Sequence, residues 1–346
     1  MEPVYGIIGC GNISRFHFNG LIKAGAKIGM ICDLNKNAAQ PWIDKTGARF
    51  TTDYNEVIVD KNITAIAVLT SSQYHFDICT KAIKAGKDII CEKTMMNTAE
   101  EAYKTAVMVK KSKSLFFTAF MKRFFPAVQK AKELLPGIGK IFSSHIRSYQ
   151  PWGDIISAET PDNYQWIIKN YGGAIVKCAG SHALDLSLFL LGRPDSVYAN
   201  IDYIPGSAID RRATALLEYT GGAVAHFETV GHPLKGIGYE KNGWDEKIEI
   251  NGSAGRLELA TVIWDTPENN GVWLTHYDNE RRCATEYRFA AMNPFDAQAD
   301  FFHKCFVSRT QGHPDVTDGF NTDWLISQIF ESAAQKKSIK IDWQGI

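Results

Sequence analysis

The sequence predicts an α/β domain followed by an α+β domain. In the first 120 residues, short apolar strands alternate with helices of about 10 to 15 residues, a spacing typical of right-handed βαβ units and a parallel sheet. From about residue 141 the pattern changes to successive strands joined by turns, which indicates a β-rich second domain. The length of 346 residues also fits two domains of roughly 150 residues each. We therefore divide the chain into residues 1–121 and 122–346.

The first domain is predicted to hold five strands, at residues 4–8, 27–32, 63–69, 88–91 and 115–120. Helices are predicted between them at residues 14–24, 37–46, 74–85 and 98–112. Ligands of parallel α/β sheets bind outside the carboxyl ends of the strands. We therefore expect the functional residues of this domain in the loops that follow its strands.

The second domain is predicted to contain strands at residues 141–149, 196–202, 213–219, 223–230, 247–251 and 256–260. A Gly221-Gly222 turn joins two of them as a hairpin. Helices at residues 180–191, 294–308 and 320–336 complete the domain.

Composition excludes several classes of protein. The 38 Lys and Arg residues balance 38 Asp and Glu residues, so the excess positive charge needed to bind nucleic acid is missing. No apolar run reaches the roughly 18 residues that span a bilayer, and the N-terminus lacks the basic start of a secretory signal. The seven scattered cysteines include no Cys-x-x-Cys pair, which favours reduced thiols in the cytoplasm and no metal site.

The turn after the first strand is the most informative motif. It reads Gly9-Cys10-Gly11-Asn12-Ile13-Ser14, a G-x-G-x-x-small pattern that follows a strand and opens a helix. The glycines permit a tight turn and close approach of a pyrophosphate to the helix N-terminus. Asp33 lies 22 residues after Gly11, where a carboxylate accepts hydrogen bonds from the adenosine ribose and repels a 2′-phosphate. The motif predicts dinucleotide binding with NAD preferred, while Lys36 keeps NADP open; the alternative is a plain glycine turn.

Two further loops are expected at the same sheet edge. One holds Thr70, Ser71, Ser72 and His75 and should lie under the nicotinamide ribose. The other places Glu92 and Lys93 at the end of a strand. An exposed surface ion pair is the alternative for these two charges, but their position beside the predicted cofactor favours a functional role.

These residues resemble the Gfo/Idh/MocA family of dinucleotide-dependent sugar oxidoreductases. The resemblance covers nearly the whole chain and rests on motifs in the family's order: the first glycine turn, Thr70-Ser-Ser-Gln-Tyr-His75, Gly86-Lys-Asp-Ile-Ile-Cys-Glu-Lys-Thr94, Arg123-Phe-Phe-Pro126, Gly172-Gly173, Gly180-Ser-His-Ala-Leu-Asp185 and the segment from Trp244 to Gly255. It implies a Rossmann domain followed by an open, mostly antiparallel sheet that packs over the nicotinamide end of the cofactor. It also implies a homodimer or homotetramer formed through that sheet.

The resemblance assigns the transfer of the hydroxyl proton to Lys93 and His182. Asp185 follows His182 by one helical turn and is expected to orient the substrate or the imidazole; a partner for the helix dipole is the alternative. Most family members carry an aspartate four residues before this histidine, but here Cys178, preceded by Lys177, occupies the position. This departure places the usual proton relay in doubt and puts Lys177 and Cys178 among the expected substrate contacts.

Aromatic residues after the first long strand of the second domain suit a sugar, whose ring faces are apolar and whose rim is hydroxylated. Tyr149, Trp152 and Tyr164 are predicted to bind substrate, and Trp166 is assigned to the cofactor. An aromatic cluster at a subunit interface is the alternative.

Three hypotheses follow. The first is an NAD(P)-dependent oxidoreductase that transfers a hydride between nicotinamide and a secondary hydroxyl of a sugar, polyol or glycoside. The second, motivated by Lys177 and Cys178, is a redox-neutral enzyme that uses NAD transiently for epimerisation, elimination or glycosidic cleavage. The third is a non-catalytic NAD-binding sensor.

Overall fold

The computed structural model describes residues 2–152 and 172–346, which form two compact units. The first unit comprises Met1–Met121, Phe295–Asp323 and Gly345–Ile346, and the second comprises Lys122–Pro294 and Trp324–Gln344. The sequence-based division after residue 121 therefore separates Phe295–Asp323 from the unit with which this segment packs. The assignment of the two domains to cofactor and substrate stays a prediction.

The first unit is built on a six-stranded parallel sheet of order β3-β2-β1-β4-β5-β6. Its strands are β1 (Val4–Ile8), β2 (Lys27–Cys32), β3 (Arg49–Thr51), β4 (Ala65–Val68), β5 (Asp88–Cys91) and β6 (Phe116–Thr118). Every residue of β4 and β5 is buried, as expected for central strands covered on both faces. The predicted parallel sheet is confirmed; β3 was not predicted because three residues carry too little periodicity to detect.

The helices of the first unit are α1 (Ser14–Lys23), α2 (Lys36–Thr46), α3 (Tyr54–Val59), α4 (His75–Lys84) and α5 (Ala99–Lys110). Helix α5 begins with a capping box, in which the Thr98 side chain accepts from the Glu101 N–H and the Glu101 side chain accepts from the Thr98 N–H. Two later helices also contribute, α8 (Pro294–Ser308) and the start of α9 (Val316–Gln335). They pack on β6, where the Phe117 ring stacks on Phe302 with centroids 4.4 Å apart.

The second unit is built on a nine-stranded mixed sheet of order β14-β13-β12-β11-β7-β10-β9-β8-β15. Its strands are β7 (Ile141–Gln150), β8 (Ser196–Tyr203), β9 (Asp210–Glu218), β10 (Val224–Gly231), β11 (Asp245–Gly252), β12 (Gly255–Ala260), β13 (Trp273–Asp278), β14 (Cys283–Arg288) and β15 (Ile339–Lys340). The β7–β10 pair is parallel and the other pairs are antiparallel, which confirms the predicted mostly antiparallel sheet.

Side chains alternate across this sheet. Ile146 and Phe227 point inward to a core shared with α6 (Pro126–Leu134), α7 (Ser181–Leu191) and the end of α9, while His145 and His226 lie on the exposed outer face. The two imidazoles stack across β7 and β10 with centroids 4.9 Å apart. The sequence did not reveal α6, β13 and β14.

A turn of π-helix, Val176–Gly180, leads directly into α7. A side chain at Gly180 would be crowded, because a Cβ atom there would approach the Phe227 ring to 3.1 Å and the Thr229 methyl group to 3.3 Å. π-Helical turns often occur at functional positions, and this one carries Lys177 and Cys178. Among the described residues, no helix is long and apolar enough to cross a membrane.

Candidate functional site

The loop between β1 and α1 has the form of an anion site. Gly9 has φ of +102°, and a Cβ there would lie 2.9 Å from the carbonyl carbon and oxygen of Leu69. The corresponding side of Gly11 is open, with no atom within 4 Å. Helix α1 begins after Ile13 without a side-chain cap and without an acidic residue in its first turn. Because its first N–H groups carry a positive partial charge, this end of α1 suits a pyrophosphate.

Asp33 follows β2 at the same edge and has a fixed orientation. Its carboxylate accepts hydrogen bonds from the Cys10 N–H at 2.6 Å and from the Asn35 N–H at 2.7 Å. The Lys36 ammonium lies over the Phe50 ring, 5.9 Å from its centroid. Leu34 is 90% exposed beside the carboxylate, an apolar surface that sequence patterns do not reveal. These residues fit the adenosine end of NAD.

His75 is buried at this edge of the sheet and does not lie on the protein surface. The side chain is fully buried, with Nε2 2.9 Å from the Thr70 carbonyl oxygen and Nδ1 3.1 Å from the Thr94 and Met95 carbonyl oxygens. Burial lowers its pKa, so the neutral ring is favoured. The prediction that His75 contacts the cofactor conflicts with this burial; the ring instead joins the two loops that follow β4 and β5.

The rest of the loop after β4 is partly accessible. Thr70 and Ser71 are half-buried, whereas Ser72 is fully buried and donates from its hydroxyl to the Asn97 side-chain oxygen at 3.2 Å. Direct cofactor contact by the Ser72 hydroxyl is therefore disfavoured, because the group faces the interior.

Glu92 does not lie at the surface, as the alternative of an exposed ion pair would require. Glu92 is 5% exposed, and one carboxylate oxygen lies 2.7 Å from His17 Nε2 in α1. Its other oxygen accepts the Lys93 N–H at 3.0 Å. Lys93 is half-buried at the end of β5. His17 is a partner of Glu92 that the sequence analysis missed, because only the fold brings it to a residue 75 positions away.

In the second unit, the segment leading to His182 is held by Asp210. This carboxylate is fully buried at the start of β9 and accepts hydrogen bonds from the Ala174 N–H at 2.6 Å and the Val176 N–H at 2.8 Å. Burial raises its pKa, and the two N–H groups and the charge of Lys177 oppose that rise. Lys177 and Cys178 are half-buried in the following turn.

His182 and Asp185 both lie in α7, but their surroundings differ. His182 is half-buried in the first turn. Asp185 is 1% exposed and accepts three hydrogen bonds from Arg123, two from Nε at 2.9 and 3.1 Å and one from Nη2 at 2.6 Å. Arg123 therefore holds the carboxylate that was expected to orient the substrate or the imidazole.

Tyr149 lies on the outer face of β7, opposite the core that holds α7, and its hydroxyl donates to Glu228. The structure therefore does not bring Tyr149 together with His182. Trp152 follows β7, packs against the inner core and donates from Nε1 to Gln150 at 3.1 Å. Tyr164 and Trp166 lie outside the described residues.

Gln150 also belongs to a buried network around Glu246. The Gln150 amide donates to Glu246 at 3.1 Å, and Ser148 and Thr261 each donate to it at 2.8 Å. Lys122, 1% exposed, pairs with the same carboxylate. Burial by itself raises the pKa of Glu246, but Lys122 and the hydrogen bonds bring it below its ordinary value.

The described residues contain one group of side chains whose positions could suit a metal ion, His313, Asp315 and Asp318. Their atoms are already engaged in capping α9. Asp318 Oδ2 lies 2.7 Å from His313 Nδ1 and accepts the Asp315 N–H at 2.8 Å, while Asp315 Oδ1 accepts the Thr317 and Asp318 N–H groups at 2.8 and 3.1 Å. This cluster is a helix cap by its geometry.

The parallel sheet, its glycine turn and the carboxylate after β2 define a dinucleotide-binding oxidoreductase. The family model described as the GFO/IDH/MocA oxidoreductase family, NAD-binding Rossmann fold, matches residues 4–120, and that of the GFO/IDH/MocA C-terminal domain matches residues 128–258. The chain belongs to this family. The predicted family, the NAD cofactor and the class of enzyme are thereby confirmed.

Curated relatives cover most of the chain. Myo-inositol 2-dehydrogenase of Thermotoga maritima is 26% identical, over 97% of this chain and 98% of its own length. Levoglucosan dehydrogenase of Pseudarthrobacter phenanthrenivorans is 30% identical, over 84% and 83%. Among solved structures, a levoglucosan dehydrogenase complex with NADH and L-sorbose superposes with a TM-score of 0.86 at 21% identity, covering all of both chains.

Proposed function

We propose that this protein oxidises a secondary hydroxyl of a sugar, polyol or glycoside and passes the hydride to NAD. The observation that carries the proposal is the group of strand ends in the first unit, where an uncapped helix, the Asp33 carboxylate and Lys93 follow β1, β2 and β5. The curated relatives that act on inositol and levoglucosan support cyclic, hydroxyl-rich molecules as the substrate class.

In this proposal the loop between β1 and α1 binds the pyrophosphate through its N–H groups, and Asp33 accepts from the adenosine ribose. Leu34 offers an apolar surface to the adenine, and Asp33 disfavours the 2′-phosphate of NADP. Thr70 and Ser71 are the accessible residues of the loop after β4 and contact the nicotinamide ribose. The bound nicotinamide supplies the hydride acceptor.

An alcohol loses its proton only with help at neutral pH, because the pKa of its hydroxyl group is far above 7. We assign that help to Lys93 and His182. Lys93 presents an ammonium group to the hydroxyl oxygen, and Glu92 fixes its backbone through the Lys93 N–H. His182 accepts or returns the proton, since an imidazole exchanges protons near neutral pH.

Substrate contacts are assigned to Lys177, Cys178 and Trp152 in the second unit. The wide turn that carries Lys177 and Cys178 precedes His182 by four to five residues, and the indole of Trp152 is oriented by Gln150. An aromatic face suits the apolar face of a sugar ring.

A first experiment separates cofactor binding from turnover. NADH fluorescence titration should saturate, and absorbance at 340 nm should rise with NAD and myo-inositol, levoglucosan or a related polyol. Lys93→Met should lower kcat by about 10²–10⁴-fold and change NADH affinity by less than about threefold. Lys104→Met is the matched control, because Lys104 is an exposed helix residue that pairs with Glu100. Unchanged turnover in Lys93→Met would remove this lysine from the reaction.

Cys178 favours a second candidate function, because it stands where a relay carboxylate is expected. A redox-neutral enzyme would oxidise one carbon of the substrate, let the acidified neighbouring C–H bond react by elimination or epimerisation, and return the hydride. Product measured without added stoichiometric NAD decides between the two. Product that never exceeds the NAD supplied excludes the redox-neutral cycle.

We also propose a homodimer or homotetramer formed through the outer face of the nine-stranded sheet. That face exposes Tyr198 and Leu216 by 46% and 37%, together with the stacked His145 and His226. Light scattering on wild type and Leu216→Glu tests this, with a smaller particle expected for the variant. A cytoplasmic location is supported by the seven cysteines, none of which forms a disulfide.

A further inference from the structure

The helical run that carries His182 begins without a cap of its own. It extends from Ile175 through the π-helical turn and α7 to Leu191. The residue before it is Ala174, whose methyl group cannot accept a hydrogen bond from the first N–H groups. A helix end that is buried in this way needs an acceptor from elsewhere.

Asp210 provides that acceptor from another part of the chain. It follows Ala174 by 36 positions and opens β9, and each of its carboxylate oxygens accepts one N–H group, from Ala174 immediately before the run at 2.6 Å and from Val176 in its first turn at 2.8 Å. The side chain is fully buried, so water does not compete for these bonds. A carboxylate at this end also interacts favourably with the helix dipole.

The contact fixes the backbone immediately before the candidate site residues. Val176 is followed by Lys177 and Cys178, and Asp210 thus joins this turn to β9, a central strand of the sheet. Gly180 closes against Phe227 on the neighbouring strand β10, so the turn is held at both ends. His182 lies two residues after Gly180, so a shift of the backbone at either end of this turn would also move His182.

We propose that Asp210 is a positioning residue that sets the orientation of His182 through the backbone of residues 174–180. This inference rests on the proposed role of His182 as the proton-transfer group. Asp210 itself is not expected to contact substrate, because its carboxylate is fully buried and both oxygens are bonded to N–H groups.

The test compares Asp210→Ala and the isosteric Asp210→Asn with wild type, using myo-inositol and levoglucosan as substrates. We expect kcat to fall about tenfold or more, since small displacements of a catalytic group are costly. The Kd for NADH should change less than about threefold, because the loops after β1 and β4 are untouched, whereas the KM for sugar can rise together with the fall in kcat, since Lys177 and Cys178 lie in the turn that Asp210 holds. Leu217→Ala, a core truncation in the same strand, is the control: it should lower Tm and leave the kcat of folded enzyme unchanged.

Rescue distinguishes positioning from general loss of stability. Ala174→Ser, added to Asp210→Ala, supplies a local cap and should recover most of the lost kcat. A cavity-filling substitution elsewhere, or added glycerol, raises only the Tm and should not recover kcat. Recovery of kcat by glycerol to the same extent would overturn the proposal.

The NMR signal of the His182 imidazole gives a readout independent of turnover. This signal is identified by its loss in His182→Asn, and its chemical shift should change in Asp210→Asn, while that of His145 on the outer face stays fixed. An unchanged His182 chemical shift together with an unchanged kcat in a folded variant refutes the positioning role. Full activity of His182→Asn instead refutes the proposed proton-transfer role of His182, and absence of any NAD-dependent turnover in wild type refutes the proposed function, so these failures are distinguishable.

Discussion

Two helical segments of this chain begin next to candidate functional residues, and the N–H groups at their N-termini are arranged differently. Helix α1 has no side-chain cap and no acidic residue in its first turn, and the open side of Gly11 lies directly before it. The helical run that begins at Ile175 also lacks a local cap, but Asp210 accepts the N–H groups of Ala174, just before the run, and of Val176 in its first turn. The first arrangement leaves N–H groups for an anionic ligand, and the second uses them to fix a turn.

This difference explains why one region was recognised from a motif and the other was not. The proposed dinucleotide site consists mainly of backbone groups, so glycines at fixed spacing suffice to predict it. In the second unit, side chains distant in sequence hold the functional segment, and no local pattern records them. Four predictions test the comparison, ordered from the largest expected effect to the smallest.

The largest effect is expected from the buried Arg123–Asp185 pair. Arg123→Met should lower the free energy of unfolding by about 3–5 kcal/mol, because Asp185 would remain charged and buried without its partner. Urea denaturation of the second unit measures this. The double variant Arg123→Met/Asp185→Leu should recover much of the loss; a double variant as unstable as the single one would contradict a mainly electrostatic cost.

The two glycines of the first turn should separate stability from cofactor binding. Gly9→Ala should lower the free energy of unfolding by about 1–3 kcal/mol, since its positive φ and contact with the Leu69 carbonyl group exclude a side chain. Gly11→Ala should leave Tm unchanged and weaken NADH binding by about tenfold or more, equivalent to about 1.4 kcal/mol. Equal NADH affinity in wild type and Gly11→Ala would argue against a pyrophosphate at this turn.

Acid should destabilise the two units in different pH windows. The pKa of His75 is lowered in the folded chain. Its contribution to the free energy of unfolding is therefore complete above the unfolded pKa of about 6.5. This contribution is lost as pH falls below that pKa, by at most about 1.4 kcal/mol per pH unit. The pKa of Glu246 is also lowered, so its contribution to the free energy of unfolding is lost only as pH falls below the unfolded pKa of about 4.3. Unfolding followed by circular dichroism from pH 8 to 3 measures both.

His75→Asn provides the control for the upper window. Its stability should depend less on pH between 7 and 5 than that of wild type, because no group in this buried position then gains a proton on unfolding. An identical slope for the variant would mean that another group governs this window.

The smallest effect is expected at helix α5, whose N-terminus is capped by its own residues Thr98 and Glu101. Thr98→Ala at the start of α5 should lower the free energy of unfolding by about 1 kcal/mol and leave NADH binding unchanged, because the capping box is local and exposed. Thr98→Ser is the control and should retain most of the stability. A loss as large as that of Arg123→Met would contradict the distinction between local and distant anchoring.

Much of the fold was predictable from periodicity. The strands 4–8, 27–32 and 88–91 match β1, β2 and β5 residue for residue, because central parallel strands are continuous apolar runs. The elements that were missed are short or exposed, such as β3 and β14. Every residue of β14 but Tyr287 is exposed, so no buried alternation marks it as a strand.

Side-chain surroundings were predicted less well than the backbone. His75 follows the family motif, yet its ring is buried and joins two loops. Tyr149 was placed near substrate, but one step of strand alternation turns it to the outer face. His17 and Asp210 were missed, because their contacts depend on partners 75 and 34 to 36 residues away.

The sequence by itself determined the parallel sheet, the dinucleotide turn with Asp33 and the family, since each depends on residues close together in the chain. Only the tertiary structure decided which side chains the buried carboxylates contact: His17 contacts Glu92, Arg123 contacts Asp185 and Lys122 contacts Glu246. The physical reason is that a buried carboxylate must find a hydrogen-bonding partner, and folding selects that partner by proximity in space and not by spacing in sequence.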